Sequence, residues 1–125
     1  MFGSARRSFT LNGGPITMSL MASFLLGADG CISGMGSVAA DLQAELFAAV
    51  EAGDVAGAHR VNDRLAPLVS VFYAPPFVDM HNRMKEALVL LGRIPAAHVR
   101  PPLTPVSPAE REAIRRALVA AGMLA

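Results

Sequence analysis

Residues 25–33 (LLGADGCIS) contain a helix end, a tight turn and a short apolar strand. Gly27 is placed to close the helix, and Gly30 opens a strand over residues 30–33. A short apolar strand without alternating apolar and polar residues is typical of the middle of a parallel sheet that helices cover. The stretch therefore predicts a barrel of repeating strands and helices, with residues 30–33 near its final strand. The chain has too few other strand patterns to build such a sheet alone.

A second strand pattern precedes this stretch. Residues 9–11 form a short apolar run that ends in the turn sequence NGGP at residues 12–15. The glycines permit positive φ, and Pro15 suits the first turn of a helix over residues 16–26. The order strand, helix, strand predicts a βαβ unit with a right-handed crossover.

From Val38 onward the apolar residues recur with a helical period. A first helix ends at Gly53, a second begins at an Asp54 cap and reaches Phe72, and a third runs from an Asp79 cap to Leu91. The predicted inward residues are Ala39, Leu42, Leu46 and Val50, then Val55, Ala58, Val61, Leu65, Leu68 and Phe72, then Met80, Met84, Ala87, Leu88 and Leu91. Asp79 and Arg83 have the i,i+4 spacing of an exposed ion pair.

The C-terminal segment is an extended stretch followed by a helix. Residues 94–106 carry four prolines, which predicts a strap lying on a surface groove. Ser107 and Glu110 then form a capping box with proline at the first helical position. This last helix is predicted to reach about Ala121, with Ile114, Ala117 and Leu118 facing inward.

Composition excludes several classes of function. The chain of 125 residues is 53% hydrophobic with a net charge of +1, and it lacks the basic patch of a nucleic-acid binder. Its apolar run over residues 16–26 is far shorter than the ~20 residues that cross a bilayer, so we expect no membrane span. The single cysteine, Cys31, fits a reducing compartment and a buried inert thiol. We expect a cytoplasmic protein.

The N-terminal residues allow a second interpretation. Arg6 and Arg7 before an uncharged run resemble an export signal. The glycines and Pro15 interrupt that run, and Asp29 precedes Cys31, where a lipoprotein cleavage site needs small neutral residues. A strand followed by a helix is therefore favoured over export.

Five motifs together resemble one known family. In order they are LGADGCIS (26–33), EAGD (51–54), VNDRLAPL (61–68), MKEALVLLG (84–92) and RPPLTPVSPAEREAIRRAL (100–118). Their order and spacing over residues 9–124 resemble the C-terminal part of the dihydrodipicolinate synthase and N-acetylneuraminate lyase family.

The resemblance implies an α/β fold: the last two strands and helices of a TIM barrel (residues 1–52), then a C-terminal helical domain with a proline-rich strap (residues 53–125). The family is one of class I aldolases, in which a lysine on the sixth strand forms a Schiff base with pyruvate or another 2-oxo acid. That lysine, the proton-shuttling tyrosine and the threonine pair have no counterpart here. The sole lysine is Lys85, on an amphipathic helix, and we predict no catalytic residue and no cofactor.

By the same resemblance, Gly13 after strand seven and Ile32 and Ser33 in strand eight would line the 2-oxo acid pocket. Catalytic groups in barrels gather at the carboxyl ends of strands. The residues after strand seven, and Ser37 in place of the family's asparagine, depart from the usual pattern, so the resemblance does not specify the substrate. The three histidines lack metal-ligand spacing, and no metal site is predicted.

Two functions follow as hypotheses. The first is the C-terminal portion of a 2-oxo acid lyase that is inactive alone, whether it comes from a truncated gene, from a start assigned too late, or from a split enzyme completed by a separate N-terminal barrel polypeptide. The second is a helical self-association module derived from that family, which long apolar helix faces and exposed strand edges favour. For either function we expect a homo-oligomer.

Overall fold

The computed structural model describes residues 20–125. Within this range the helices are α1 (Leu20–Leu25), α2 (Gly36–Glu51), α3 (Val55–Phe72), α4 (Met80–Leu90) and α5 (Pro108–Ala120), with a 3-10 turn at Phe77–Asp79 before α4. The strand predicted at residues 9–11 lies outside the described residues. Of the helix predicted over residues 16–26, the structure describes only the C-terminal part, which is α1.

The strand predicted at residues 30–33 is not formed. Ala28 makes a single β-bridge, and the rest of the segment up to residue 33 has no regular secondary structure. A central strand needs a neighbour along each edge to satisfy its N–H and C=O groups. Residues 20–125 contain no other strand that could supply one. This part of the molecule is therefore helical, and its relation to a barrel rests on the comparisons given below.

The predicted helix ends at Gly27 and Gly53 and the caps at Asp54 and Ser107 are confirmed, whereas the predicted Asp79 cap is wrong: Asp79 begins α4 without a side-chain capping hydrogen bond, because its carboxylate accepts from the Asn82 side-chain amide. Gly27 and Gly53 have φ of +92° and +72°, the left-handed conformation that glycine adopts without strain at a helix end. The Asp54 carboxylate accepts from the Gly57 N–H at 2.8 Å and caps α3. Ser107 and Glu110 form the complete capping box of α5.

A single apolar core lies where the helices meet, with α3 in the middle, in contact with α1, α2, α4 and α5. The largest fully buried side chains are Phe72, Met35, Leu46, Leu68, Ile114, Leu118 and Val38. Most predicted inward residues are buried or half-buried, so the helical stripes were correctly identified. Val55 is an exception at 48% exposed, because it begins α3 before the helix has reached its neighbours.

The first turn of α2 is broken. Ala39 has φ of −125° and ψ of 40°, which are not helical. The Arg93 guanidinium, in the loop after α4, donates to the Val38 carbonyl oxygen at 2.8 Å. A donor from a distant loop thus satisfies a carbonyl beside the break and ties α2 to the end of α4.

The predicted ion pair between Asp79 and Arg83 is wrong. Arg83 is only 3% exposed, and its guanidinium points into the molecule. The Asp79 carboxylate instead accepts from the Asn82 side-chain amide at 3.2 Å. The i,i+4 spacing suggested a surface pair, but Arg83 instead binds partners that are more distant in sequence.

Arg83 joins α4 to two other elements. It donates to four carbonyl oxygens around the connector after α3, those of Phe72 (3.4 Å), Ala74 (2.5 Å), Pro75 (3.4 Å) and Pro76 (3.4 Å). It also donates to Glu110 Oε1 on α5 at 3.3 Å. The connector oxygens belong to no sheet and need donors, and the guanidinium, with five N–H donors in one plane, reaches all four of them and the Glu110 carboxylate. We call this set of contacts the Arg83 clamp.

The proline-rich strap, residues 94–106, contains no helix or strand. Two side chains of α4 hold it: Lys85 Nζ donates to the His98 carbonyl oxygen at 2.7 Å, and Asn82 Nδ2 donates to the Thr104 carbonyl oxygen at 3.2 Å. The strap therefore crosses α4 before α5 begins.

Replacement of Arg83 by methionine tests the clamp. We expect Arg83→Met to lower the free energy of unfolding by about 3 kcal/mol, because it leaves partly buried carbonyl oxygens without donors. Arg115→Met is the matched control. It removes only an exposed pair with Glu112 and should leave the free energy of unfolding almost unchanged. Urea denaturation followed by circular dichroism measures both, and equal losses would contradict the buried role of Arg83.

Glu110 predicts a pH dependence of stability. The Ser107 backbone N–H, then the Ser107 hydroxyl and Arg83, hold the pKa of Glu110 below its ordinary value of 4.5. The pKa of Glu110 is lower in the folded state than in the unfolded state. Its ionised carboxylate therefore adds its full contribution to the stability of the fold above the unfolded-state pKa, and this contribution is lost as the pH falls through the folded-state pKa. The difference in unfolding free energy between the wild type and Glu110→Gln should be constant near pH 7 and shrink below about pH 4.5. If the difference in unfolding free energy between the two proteins grew on acidification, the predicted direction of this pH dependence would be refuted.

Candidate functional site

The side chains of Cys31, Ile32 and Ser33, at the end of the predicted eighth strand, point in two different directions. Cys31 is half-buried and packs against the core, and burial raises the pKa of its thiol, as expected for an inert cysteine. The Ser33 hydroxyl accepts from Gln43 Nε2 of α2 at 3.2 Å. Ile32, between them, is 64% exposed. Cys31 and Ser33 thus face the helices, and Ile32 faces the open side.

Gln43 was not predicted from the sequence. It is 7% exposed, one of few buried polar side chains among residues 20–125. A Cβ at Gly36 would lie 3.2 Å from Gln43 Oε1, so the glycine leaves room for the amide. Gln43 follows Ala39 by four positions on α2, so a polar residue within the apolar stripe was the signal available.

The loop after Ser33 is tied closely to its surroundings. The Gly36 N–H donates to the Ser33 carbonyl oxygen at 3.0 Å, and the Ser37 hydroxyl donates to the Gly34 carbonyl oxygen at 2.6 Å. A side chain at Gly34 would meet Met84 Sδ at 3.3 Å and His81 Cε1 at 3.5 Å. The loop therefore sits between α2 on one side and the first turns of α4 on the other.

The structure describes two of the three predicted pocket residues, Ile32 and Ser33. Ile32 and Ser33 are adjacent, with side chains on opposite sides, and Gly13 lies outside the described residues. A pocket formed on the Ile32 side would be reached by the Ile32 side chain and not by the Ser33 hydroxyl, which Gln43 holds towards α2. That these residues line a substrate pocket remains a prediction.

The other candidate groups are on the surface. Lys85 is exposed and donates to the strap, and His59, His81 and His98 are exposed and separate in sequence. No group of three His, Cys, Asp or Glu side chains among residues 20–125 could hold a metal ion. No helix in that range is both long and apolar enough to cross a bilayer.

Comparison with known proteins identifies the family. The family model described as the dihydrodipicolinate synthetase family matches residues 3–121. The chain belongs to this family. The resemblance carried by the five sequence motifs is thereby confirmed, and the match is to a C-terminal part of the family's members.

Relatives of this dihydrodipicolinate synthetase family member share substantial sequence with it. A 4-hydroxy-tetrahydrodipicolinate synthase of Rhodopseudomonas palustris is 43% identical over 107 residues, covering 86% of this chain and 35% of the relative. The synthase of Pseudomonas aeruginosa is 39% identical over 102 residues, covering 81% of this chain and 33% of the relative.

Two solved structures share its fold. A dihydrodipicolinate synthase variant described as the first monomeric one superposes with a TM-score of 0.76 at 29% identity, over 86% of this chain and 34% of that one. YagE of Escherichia coli K12, solved in complex with pyruvate, gives a TM-score of 0.74 at 30% identity, over 85% of this chain and 35% of its own. The family member described here spans about a third of the length of each relative.

Proposed function

We propose that this chain is the C-terminal portion of a lyase that makes or breaks a carbon–carbon bond with pyruvate or another 2-oxo acid. The observation that carries the proposal is the family match over residues 3–121, together with relatives that include a 4-hydroxy-tetrahydrodipicolinate synthase and a protein solved with pyruvate. To the complete enzyme this chain would contribute the predicted end of strand eight and the helices that pack behind it.

The chain alone is proposed to be non-catalytic. Covalent catalysis on a 2-oxo acid needs an amine nucleophile made reactive by burial or by nearby cations. Lys85 is exposed and its Nζ donates to the His98 carbonyl oxygen at 2.7 Å, so it has neither environment. In the complete enzyme the reactive lysine would come from the barrel part that the family match leaves out, either on the same chain or on a separate N-terminal polypeptide.

The exposed apolar residues support a missing barrel part. Leu25, Leu26 and Ile32 are 50%, 85% and 64% exposed, and Ile32 faces away from the helices. Apolar side chains clustered around the predicted strand are what neighbouring barrel strands would cover. The same neighbouring strands would also supply the backbone hydrogen-bonding partners that residues 30–33 need to pair as a strand.

Borohydride trapping with pyruvate tests this proposal. The isolated chain should give no pyruvate adduct on Lys85 by mass spectrometry, and Lys85→Ala should be indistinguishable from the wild type. The full chain joined behind the upstream two-thirds of the Rhodopseudomonas palustris synthase should be trapped at a lysine in that upstream part. A pyruvate adduct at Lys85, or turnover of a 2-oxo acid by the isolated chain, would refute the proposal.

The same exposed apolar residues favour a second candidate, a helical module that associates with copies of itself. Analytical ultracentrifugation of the isolated chain distinguishes the two. The self-association module predicts a defined oligomer that Leu26→Lys disrupts, with Val119→Lys, a substitution at a 40% exposed position of α5, as the matched control. A folded monomer would contradict the module and leave the lyase portion as the function.

A further inference from the structure

We infer that this protein pairs with a second copy of itself through the connector after α3, where Phe77 of each copy enters a small apolar pocket of the other. This inference goes beyond the proposed function, because neither Phe77 nor the pocket belongs to the predicted catalytic region. The surface also differs from the one formed by Leu25, Leu26 and Ile32, which the missing barrel part would cover.

The first observation is a run of exposed apolar residues in the connector. Residues 75–78, with the sequence PPFV, are all exposed, Phe77 by 50% and Val78 by 61%. Single exposed apolar side chains are common on protein surfaces, but four in succession are typical of a contact site. The Arg83 clamp holds the carbonyl oxygens of Pro75 and Pro76. The turn is therefore presented in one conformation, which lowers the entropy cost of binding.

The second observation is a pocket beside this run. It has a volume of about 230 Å³ and lies between the end of α3, the connector and the first turns of α5. Its apolar walls are formed by Val71, Ala74, Pro75, Ala113 and Ile114. A cavity of about 150 Å³ accommodates a benzene molecule, whereas pockets for drug-sized ligands begin at about 300 Å³. The pocket therefore has the size for one aromatic ring and is too small for a large cofactor.

The polar side chains that line the pocket, Ser70, Arg83 and Glu110, already have partners. The Ser70 hydroxyl donates to the Ala66 carbonyl oxygen at 3.0 Å. Arg83 donates from all three of its nitrogens to the connector oxygens and to Glu110 Oε1. Glu110 Oε2 accepts from the backbone N–H and the hydroxyl of Ser107. A polar ligand would find few free partners here, so the pocket favours an apolar occupant.

The pocket lies outside the surface that the barrel part is predicted to cover. None of its lining residues comes from α1, α2 or residues 26–34. Those are the segments next to the predicted barrel strands. An occupant of the pocket must therefore come from another part of this chain or from another molecule.

The position of Phe77 favours a second copy as the source of that occupant. Phe77 follows the pocket residue Pro75 by two positions, so their Cα atoms are at most about 7 Å apart. It does not fill the pocket of its own chain, because it is half exposed and is not among the lining residues. A two-fold contact uses the same patch on both partners and requires that patch to be complementary to itself. A projecting ring beside a ring-sized pocket meets this requirement, and both contacts form in one encounter.

The charges at the patch allow two copies to approach. Arg83 and Glu110 form an ion pair at 3.3 Å, so the side chains of opposite charge in the pocket balance each other. Like charges facing each other across an interface would oppose association. The paired charges remove that obstacle, and the contact is left to the apolar residues.

Sedimentation equilibrium of the 125-residue chain tests the pairing. The patch is small, so we expect a reversible dimer with a dissociation constant on the order of 100 µM. Phe77→Ala removes the ring and Ala113→Phe fills the pocket, and each should weaken dimerisation at least about tenfold. Val119→Ala, at a 40% exposed position of α5 outside the pocket, is the matched control and should change the constant less than about twofold. Thermal unfolding midpoints equal to that of the wild type exclude a folding defect as the cause.

Isotope-filtered nuclear magnetic resonance locates the contact. The sample is an equal mixture of isotope-labelled and unlabelled chain at about 1 mM, well above the expected dissociation constant. Nuclear Overhauser effects should join the Phe77 ring of one copy to the methyl groups of Val71 and Ala113 of the other copy. A dimer that lacks these effects would contradict the proposed arrangement.

The remaining outcomes are equally decisive. A chain that stays monomeric at this concentration overturns the inference, and so does a dimer that Leu26→Lys dissociates and Phe77→Ala does not. If the chain is monomeric and toluene shifts the methyl resonances of Val71 and Ala113, the pocket takes a small apolar ligand and the pairing is overturned. Borohydride trapping tests the lyase proposal separately, so either proposal can fail without the other.

Discussion

The Arg83 clamp is the interaction on which the arrangement of the C-terminal helices depends. One buried guanidinium holds the connector after α3, the start of α5 and its own helix α4 in fixed relation. The connector contains Pro75 and Pro76, which have no N–H groups of their own and offer only carbonyl oxygens. A side chain with several donors in a rigid plane satisfies these oxygens, and it thereby also places the first turn of α4, which carries His81.

The helices could be predicted from sequence because their signals are local. Asp54 and the pair Ser107 and Glu110 define helix starts by contacts within four residues, and Gly53 defines an end by its own backbone conformation. The strand at residues 30–33 was predicted on equally clear local signals and is not formed. Strand structure requires hydrogen-bonding neighbours that are distant in sequence, and residues 20–125 do not contain them.

Arg83 and Gln43 show the same limit for side chains. The spacing between Asp79 and Arg83 fits a surface pair, but the partners of Arg83 are up to 27 residues away and its burial comes from packing between helices. Gln43 interrupts an apolar stripe, and only the position of Ser33 explains it. For the candidate site, the resemblance to a family supplied Ile32 and Ser33, whereas the opposite directions of their side chains and the approach of α4 to Gly34 required the folded chain.

The strap between α4 and α5 has a consequence for how this part of the molecule can change during evolution. It is held by side-chain donors to two of its carbonyl oxygens, and its backbone takes part in no helix or sheet. Extra residues between those attachment points would alter no core contact, and doubling the length of a flexible loop costs only about 0.6 kcal/mol. An insertion between these two attachment points would therefore leave the packing of α5 against the core unchanged.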